Sequence, residues 1–152
     1  VIRLSDSVYN NDSVAAVGVA AHEAGHAVQY AEGYGPIKVR SAIIPITQFG
    51  SNLSTPLVIF GIIFSSNVLI TAGILLFCTV VLFQAITLPV EFNASHRAMQ
   101  AIAQTNLLTE EEQKGARKTL TAAAMTYVAA TAVALTQLLR LILLFGNRRR
   151  DD

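Results

Sequence analysis

The chain has 152 residues, of which 53% are hydrophobic and 14% are charged, and its formal net charge is +1. The charged fraction lies well below the roughly 25% of an ordinary soluble domain, and a nearly neutral chain gives no electrostatic reason to expect a nucleic-acid partner. The lone cysteine, Cys78, excludes an internal disulfide.

The length predicts a single domain over residues 1–152. The chain has neither an initiator methionine nor a signal peptide at Val1. We therefore expect it to be a fragment whose N-terminal segment, which could include a further membrane segment, is missing.

The first third of the chain is predicted to hold one helix. Asp12 or Ser13 can cap its N-terminus, and the helix should end near Glu32, where glycines and a proline follow. Residues 1–4 and 37–46 could form short strands, because both contain β-branched residues. The second segment could equally be a connector at a membrane surface.

Two long apolar segments follow, and no charged residue stands between Arg40 and Glu91. A membrane-spanning helix needs about 20 apolar residues. We predict spans at about 49–64, 68–88 and 122–145, the first two forming a helical hairpin in the bilayer. The alternative is a buried hairpin of a soluble protein, which the segment lengths disfavour because soluble helices average about 11–12 residues.

The segment between the second and third spans should contain two helix starts. Leu88-Pro89 predicts a kink or a new helix. Thr109 and Glu112 have the spacing of a capping box, at the start of a helix that runs into the third span. The predicted class is therefore a mainly all-α integral membrane protein.

The stretch AAHEAGHAVQY, residues 20–30, carries the clearest chemical signal. His22 and His26 are four residues apart and share one face of a helix, where both imidazoles can bind the same Zn²⁺. Glu23 stands beside them as a general base for a water whose pKa the metal lowers. Gly25 costs the helix about 1 kcal/mol relative to alanine, which predicts that another group approaches the helix backbone closely there.

A catalytic zinc site commonly has three protein ligands and one open position. Glu91 directly follows a predicted span, where a carboxylate needs a partner, and a membrane hairpin would return it to the histidine helix. His96 is the alternative ligand, although it lies about 140° around the helix from Glu91. Ser95 is one turn beyond Glu91 and could hydrogen-bond a ligand histidine.

Three segments, VAAHEAGHAVQ, LFQAITLPVEFNAS and EEEQKGARKTLTAAAMTYVAA, together resemble the putative neutral zinc metallopeptidases of the YugP-like group, which are bacterial membrane proteins. The resemblance covers about residues 12–145. It implies a membrane-embedded peptidase of the gluzincin type, with His22, His26 and Glu91 as zinc ligands and Glu23 as the base.

The chain is also similar, more distantly, to the HtpX and CAAX-prenyl-protease group. There the glutamate ligand opens a Glu-x-x-x-Asp motif whose aspartate orients a histidine, whereas this chain has Ser95 at the last position. The family pattern usually has arginine where this chain has His96. His96 could polarise a substrate carbonyl or serve as a polar residue at the membrane interface.

These observations predict a zinc-dependent membrane endopeptidase that hydrolyses peptide bonds through a metal-activated water, with a peptide or protein substrate. One alternative is an intramembrane protease of the site-2 type, but that class has an aspartate ligand and this chain has no Asp between Asp12 and Asp151. Another is a non-catalytic zinc-binding scaffold, which would not need Glu23.

The predicted location is a bacterial cell membrane, with several spans and the active site at the membrane surface. Three spans place residues 1–48 and 89–121 on one face. Basic side chains on that face favour a cytoplasmic site and outnumber the three at the C-terminus. They include Lys38, Arg40, Arg97, Lys114, Arg117 and Lys118; the three at the C-terminus are Arg148, Arg149 and Arg150.

Overall fold

The computed structural model describes residues 1–146, which form five helices and no strand. The helices, in chain order, are α1 (Asp6–Tyr9), α2 (Val14–Ala31), α3 (Gly35–Ile63), α4 (Asn67–Thr105) and α5 (Glu110–Phe145). This architecture confirms the predicted all-α class.

Local sequence signals set the starts of α2 and α5. The Ser13 side chain accepts a hydrogen bond from the Ala16 backbone N–H at 3.2 Å, so Ser13 is the N-cap of α2. At α5, the Thr109 N–H donates to Glu112 Oε2 at 2.8 Å and Thr109 Oγ1 accepts from the Glu112 N–H at 3.3 Å. These reciprocal bonds are the predicted capping box.

The short strands considered for residues 1–4 and 37–46 are absent from the described structure. Residues 1–4 have no regular secondary structure, and residues 37–46 lie within α3. Pro36 falls in the first turn of α3, where its missing N–H costs no helical hydrogen bond. In an apolar surrounding a helix also satisfies its own backbone groups, which an isolated strand cannot do.

Prolines do not end the long helices. Helix α3 continues through Pro45 and Pro56, and α4 continues through Pro89. The new helix start considered at Leu88-Pro89 is therefore not found. The segments before and after Pro89 belong to the same 39-residue helix.

The first of two compact units comprises Val1–Lys38 and Thr87–Val128. Its core is built from apolar side chains that recur every four residues, and the alanines among them allow α2, α4 and α5 to pack closely. The buried positions are Val90, Ala94, Ala98 and Ile102 in α4 and Ala116, Leu120 and Ala124 in α5. A Cβ added at Gly18 of α2 would lie at an ordinary 3.6 Å from the Ala116 Cβ.

The second unit comprises Val39–Ile86 and the described part of Ala129–Asp152. Within it, α3 and α4 form a hairpin whose turn includes Ser65, with φ of 51°. Ser54 Oγ donates to the Gly73 carbonyl at 3.0 Å. A Cβ at Gly73 would lie 2.7 Å from Val58 Cγ2, so this crossing requires glycine.

Three of the described helices, α3, α4 and α5, are long and apolar enough to cross a membrane. In the most apolar 18-residue stretch of α4 and of α5, 11% of the residues are buried within the protein. A soluble protein would cover such segments, whereas lipid can solvate them. The predicted spans 68–88 and 122–145 fall within α4 and α5, the predicted span 49–64 overlaps α3 as far as Ile63, and the architecture fits an all-α membrane protein.

Candidate metal centre

The two histidines stand on adjacent turns of α2 and face the same side. Their ring centroids are 4.7 Å apart and the ring planes meet at 88°. Each side chain is about one sixth exposed, at 15% for His22 and 16% for His26. The four-residue spacing in the sequence thus produces two converging imidazoles.

A close helix crossing brings α4 to this face of α2. Gly25 stands between the histidines, and a Cβ there would lie 2.6 Å from the Ala94 carbonyl oxygen. No real Cβ makes such a contact, so only glycine permits this approach. The crossing places the Glu91 carboxylate, which is 3% exposed, beside both imidazoles.

Three donor atoms converge at this point, and we call their residues, His22, His26 and Glu91, the His–His–Glu cluster. Glu91 Oε2 lies 3.0 Å from His22 Nε2 and 3.6 Å from His26 Nε2. The ligand atoms all lie within 4.8 Å of one another. Zinc bonds of about 2.0–2.2 Å at tetrahedral angles separate neighbouring ligand atoms by about 3.4 Å, which these distances bracket.

Other side chains occupy the remaining nitrogen of each imidazole. His22 Nδ1 is 3.0 Å from Ser95 Oγ, the contact anticipated for a serine one turn beyond Glu91. His26 Nδ1 is 2.9 Å from Gln29 Oε1. Both Nε2 atoms are therefore the ones turned toward Glu91, as in metal sites whose histidines are oriented by an outer partner.

The charge of the cluster favours a cation. The hydrogen bond with Glu91 raises the pKa of His26 above its ordinary value, although burial opposes the shift. The Glu23 carboxylate adds a smaller contribution in the same direction. Nearby carboxylates that stabilise a proton on His26 also favour a metal ion in its place.

Glu23 and His96 lie outside the cluster. Among residues 1–146 the structure gives the half-buried Glu23 carboxylate no hydrogen bond or ion pair. His96 is exposed and lines a cavity of about 330 Å³ together with Ser95 and Arg117. The structure thus groups Glu91, rather than His96, with the two histidines.

Comparisons with known proteins identify the family of the chain. The model of a family described as "Putative neutral zinc metallopeptidase" matches residues 1–146. The chain belongs to this family of neutral zinc metallopeptidases. It is 46% identical over all 152 residues to a Bacillus subtilis (strain 168) protein named "Putative membrane protease YugP", of which it covers 68%. No solved structure matches the chain.

The predicted family membership is therefore confirmed, and zinc is the metal that the family name implies. Sequence reasoning missed Gln29, which is fully buried and contacts His26. A signal was available, because Gln29 stands three residues after His26 on the same helix, in otherwise apolar surroundings.

Proposed function

We propose that this neutral zinc metallopeptidase is a membrane endopeptidase, with the His–His–Glu cluster as its zinc-ligand set and Glu23 as its general base. The observation that carries the proposal is the convergence of two imidazole nitrogens and one carboxylate oxygen within 4.8 Å. Two histidines and one glutamate are a ligand set of catalytic zinc in peptidases, where the fourth position stays open.

The role of the metal follows from its Lewis acidity. Bound zinc would lower the pKa of a coordinated water and polarise the scissile carbonyl. Two neutral imidazoles and one carboxylate cancel only half of the dication's charge, so considerable positive charge is left to act on the substrate. Ser95 and Gln29 would hold the two rings in place.

Glu23 would carry the protons of the reaction. Glu23 follows a proposed ligand histidine directly in the sequence, and its carboxylate has no hydrogen bond or ion pair among the described residues that would compete for a proton. Glu23 accepts a proton as water attacks the peptide carbonyl and returns it to the leaving amine. One water is consumed, and a carboxylate and an amine are formed.

The substrate would be a peptide or protein that reaches the cluster at the membrane surface. Glu91 follows the predicted 68–88 span by three residues, which favours a surface site over cleavage inside the bilayer. The cavity beside Ser95 offers an apolar wall that includes Phe92, Met99 and Leu120. His96 could polarise a substrate carbonyl from this side.

The decisive experiment replaces Glu23 with glutamine. We expect Glu23→Gln to keep zinc at the wild-type stoichiometry and to lower the cleavage rate of an unfolded protein at least 100-fold, the lower range for general-base catalysis. Metal content by elemental analysis and cleavage by gel electrophoresis would be measured on the same purified sample.

Two control variants complete the design. Glu91→Ala should lose zinc and activity together, whereas His96→Ala should keep zinc. If Glu23→Gln cleaves as fast as the wild type, the hydrolytic mechanism is wrong and a zinc-binding scaffold becomes the better interpretation. If Glu91→Ala keeps stoichiometric zinc, Glu91 is not a ligand.

A further inference from the structure

We propose that Gln29 is a positioning residue that fixes the ring tautomer of His26, at the end of a chain of hydrogen bonds that begins at Arg97. The inference rests on the proposed function, because His26 matters here as a zinc ligand. Gln29 is fully buried, with 0% of its surface exposed, so water does not compete for its hydrogen bonds.

The orientation of the Gln29 amide is determined by two acceptors. Its Nε2 lies 2.9 Å from the Val90 carbonyl oxygen, an atom that can only accept. It also lies 3.0 Å from Asn93 Oδ1. Reversing the amide would place an oxygen against the Val90 oxygen, so nitrogen must occupy this position.

Arg97 determines the orientation of Asn93 in the same way. Arg97 Nε donates to Asn93 Oδ1 at 2.8 Å, and a guanidinium has no acceptor atom. Arg97 is itself held by an ion pair with Glu32, just beyond the end of α2, at 2.6 Å. The chain of hydrogen bonds thus links Arg97 to the Gln29 amide through the Asn93 oxygen, which accepts from both.

The remaining atom of the amide, Gln29 Oε1, can only accept. It lies 2.9 Å from His26 Nδ1, which must therefore carry a hydrogen. In a neutral imidazole the Nε2 atom then has the free lone pair that a metal requires. The Glu91 Oε2 atom lies 3.6 Å from His26 Nε2, a longer contact than the 2.9 Å between Gln29 Oε1 and His26 Nδ1, so the Gln29 contact favours the hydrogen on Nδ1.

His22 lacks such a constraint. Its Nδ1 faces the hydroxyl of Ser95 at 3.0 Å, and a hydroxyl can donate or accept. The acceptor-only partner of His22 is instead Glu91, whose Oε2 lies 3.0 Å from His22 Nε2, so only His26 has an acceptor-only partner at Nδ1. We therefore expect Gln29 to contribute more to metal affinity than Ser95 does.

The first test needs no substitution. Histidine ¹⁵N chemical shifts of the metal-free wild-type protein, measured at a pH where the rings are neutral, report the tautomer. We expect His26, assigned by the loss of its signals in His26→Asn, to carry its hydrogen on Nδ1. A hydrogen on Nε2 would overturn the inference, whether or not the protein proves to bind zinc.

The second test compares Gln29→Met with Gln104→Met, an exposed glutamine of α4. Gln29→Met should yield a mixture of His26 tautomers and weaken zinc binding about 10–100-fold in competition with a chelator. Gln104→Met should change neither quantity. Gln29→Glu keeps an acceptor for the Nδ1 hydrogen and should retain the tautomer when its second oxygen is protonated and donates to the Val90 carbonyl.

The outcomes separate the possible failures. A folded Gln29→Met protein that keeps both the wild-type tautomer and the wild-type zinc affinity contradicts the role of Gln29. If Gln29→Met lowers the helix content, its result is set aside. The His26 tautomer in the wild-type protein and in Gln29→Glu then decides whether Gln29 has the proposed role. A wild-type protein that shows the expected tautomer but binds no zinc contradicts the proposed function instead.

Discussion

Individual side chains explain why this centre suits a metal ion. Ser95 and Gln29 contact the Nδ1 atoms of His22 and His26, and these contacts turn both Nε2 atoms toward Glu91 Oε2. Two imidazole nitrogens and a carboxylate in such proximity favour a cation between them, either a proton or a metal. The raised pKa of His26 reflects the same preference, because it means that this position stabilises a proton on the ring.

At the residue scale, Ser95→Ala should weaken zinc binding. The substitution removes the partner of His22 Nδ1 at 3.0 Å and frees the ring to turn. We expect about a tenfold loss, the smaller end of the range for outer partners of metal ligands, because a hydroxyl is uncharged. The affinity would be measured by competition with a chromophoric chelator.

A matched control for this substitution is Ser51→Ala, at an exposed position of α3. It removes the same hydroxyl group away from the cluster and should leave the affinity unchanged. Equal affinities of Ser95→Ala and the wild type would show that Ser95 does not orient His22.

At the scale of helices, the sequence predicts the capping interactions at the helix starts. Capping at Ser13 and Thr109 was predicted because a cap involves residues only three positions apart. The first span was predicted to begin near residue 49, whereas α3 already begins at Gly35. Proline and β-branched residues weaken the helix signal in the sequence, but in an apolar surrounding a helix is favoured because it satisfies its own backbone groups.

The candidate site was predictable to different extents. The histidine pair followed from its spacing, whereas the choice of Glu91 needed a hairpin that returns α4 to α2. The hydrogen bonds of Gln29 to Val90 and Asn93 join positions more than sixty residues apart. No local pattern encodes such contacts, so they emerge only once the helix crossing is known.

The crossing itself predicts that Gly25→Ala is destabilising. The added methyl group would lie 2.6 Å from the Ala94 oxygen, so α2 and α4 must separate and the imidazoles withdraw from Glu91. Overpacking of this kind costs typically about 1–3 kcal/mol. We expect a lower midpoint of thermal unfolding in detergent, together with loss of zinc.

Gly18→Ala is the matched control on the same helix. Its methyl group would make an ordinary 3.6 Å contact with Ala116. Alanine is favoured over glycine by about 1 kcal/mol within a helix, so this variant should be as stable as the wild type or more so. If both variants behave alike, the close crossing at Gly25 does not exist.

For the molecule as a whole, the apolar surface is the main constraint. Large apolar side chains of the long helices stand more than half exposed, among them Ile63, Leu75 and Leu143. Surfaces of this kind need lipid around them. The predicted single domain over residues 1–152 and the side of the membrane that holds the centre remain predictions, and Arg148–Arg150 lie outside the described residues.

Labelling of single cysteines would test both the spans and the orientation. In a Cys78→Ser background, we expect Asp12→Cys and Leu107→Cys to react from the cytoplasmic side and Ser65→Cys, in the turn between α3 and α4, from the opposite side. All three positions are exposed, so an impermeant maleimide can reach them. Intact cells and inverted vesicles would be compared.

Labelling of all three from one side would contradict the hairpin, since an odd number of spans must separate position 65 from the other two. A reversed pattern would keep the spans and place the His–His–Glu cluster on the outer face, because the excess of basic residues that favours the cytoplasm is small.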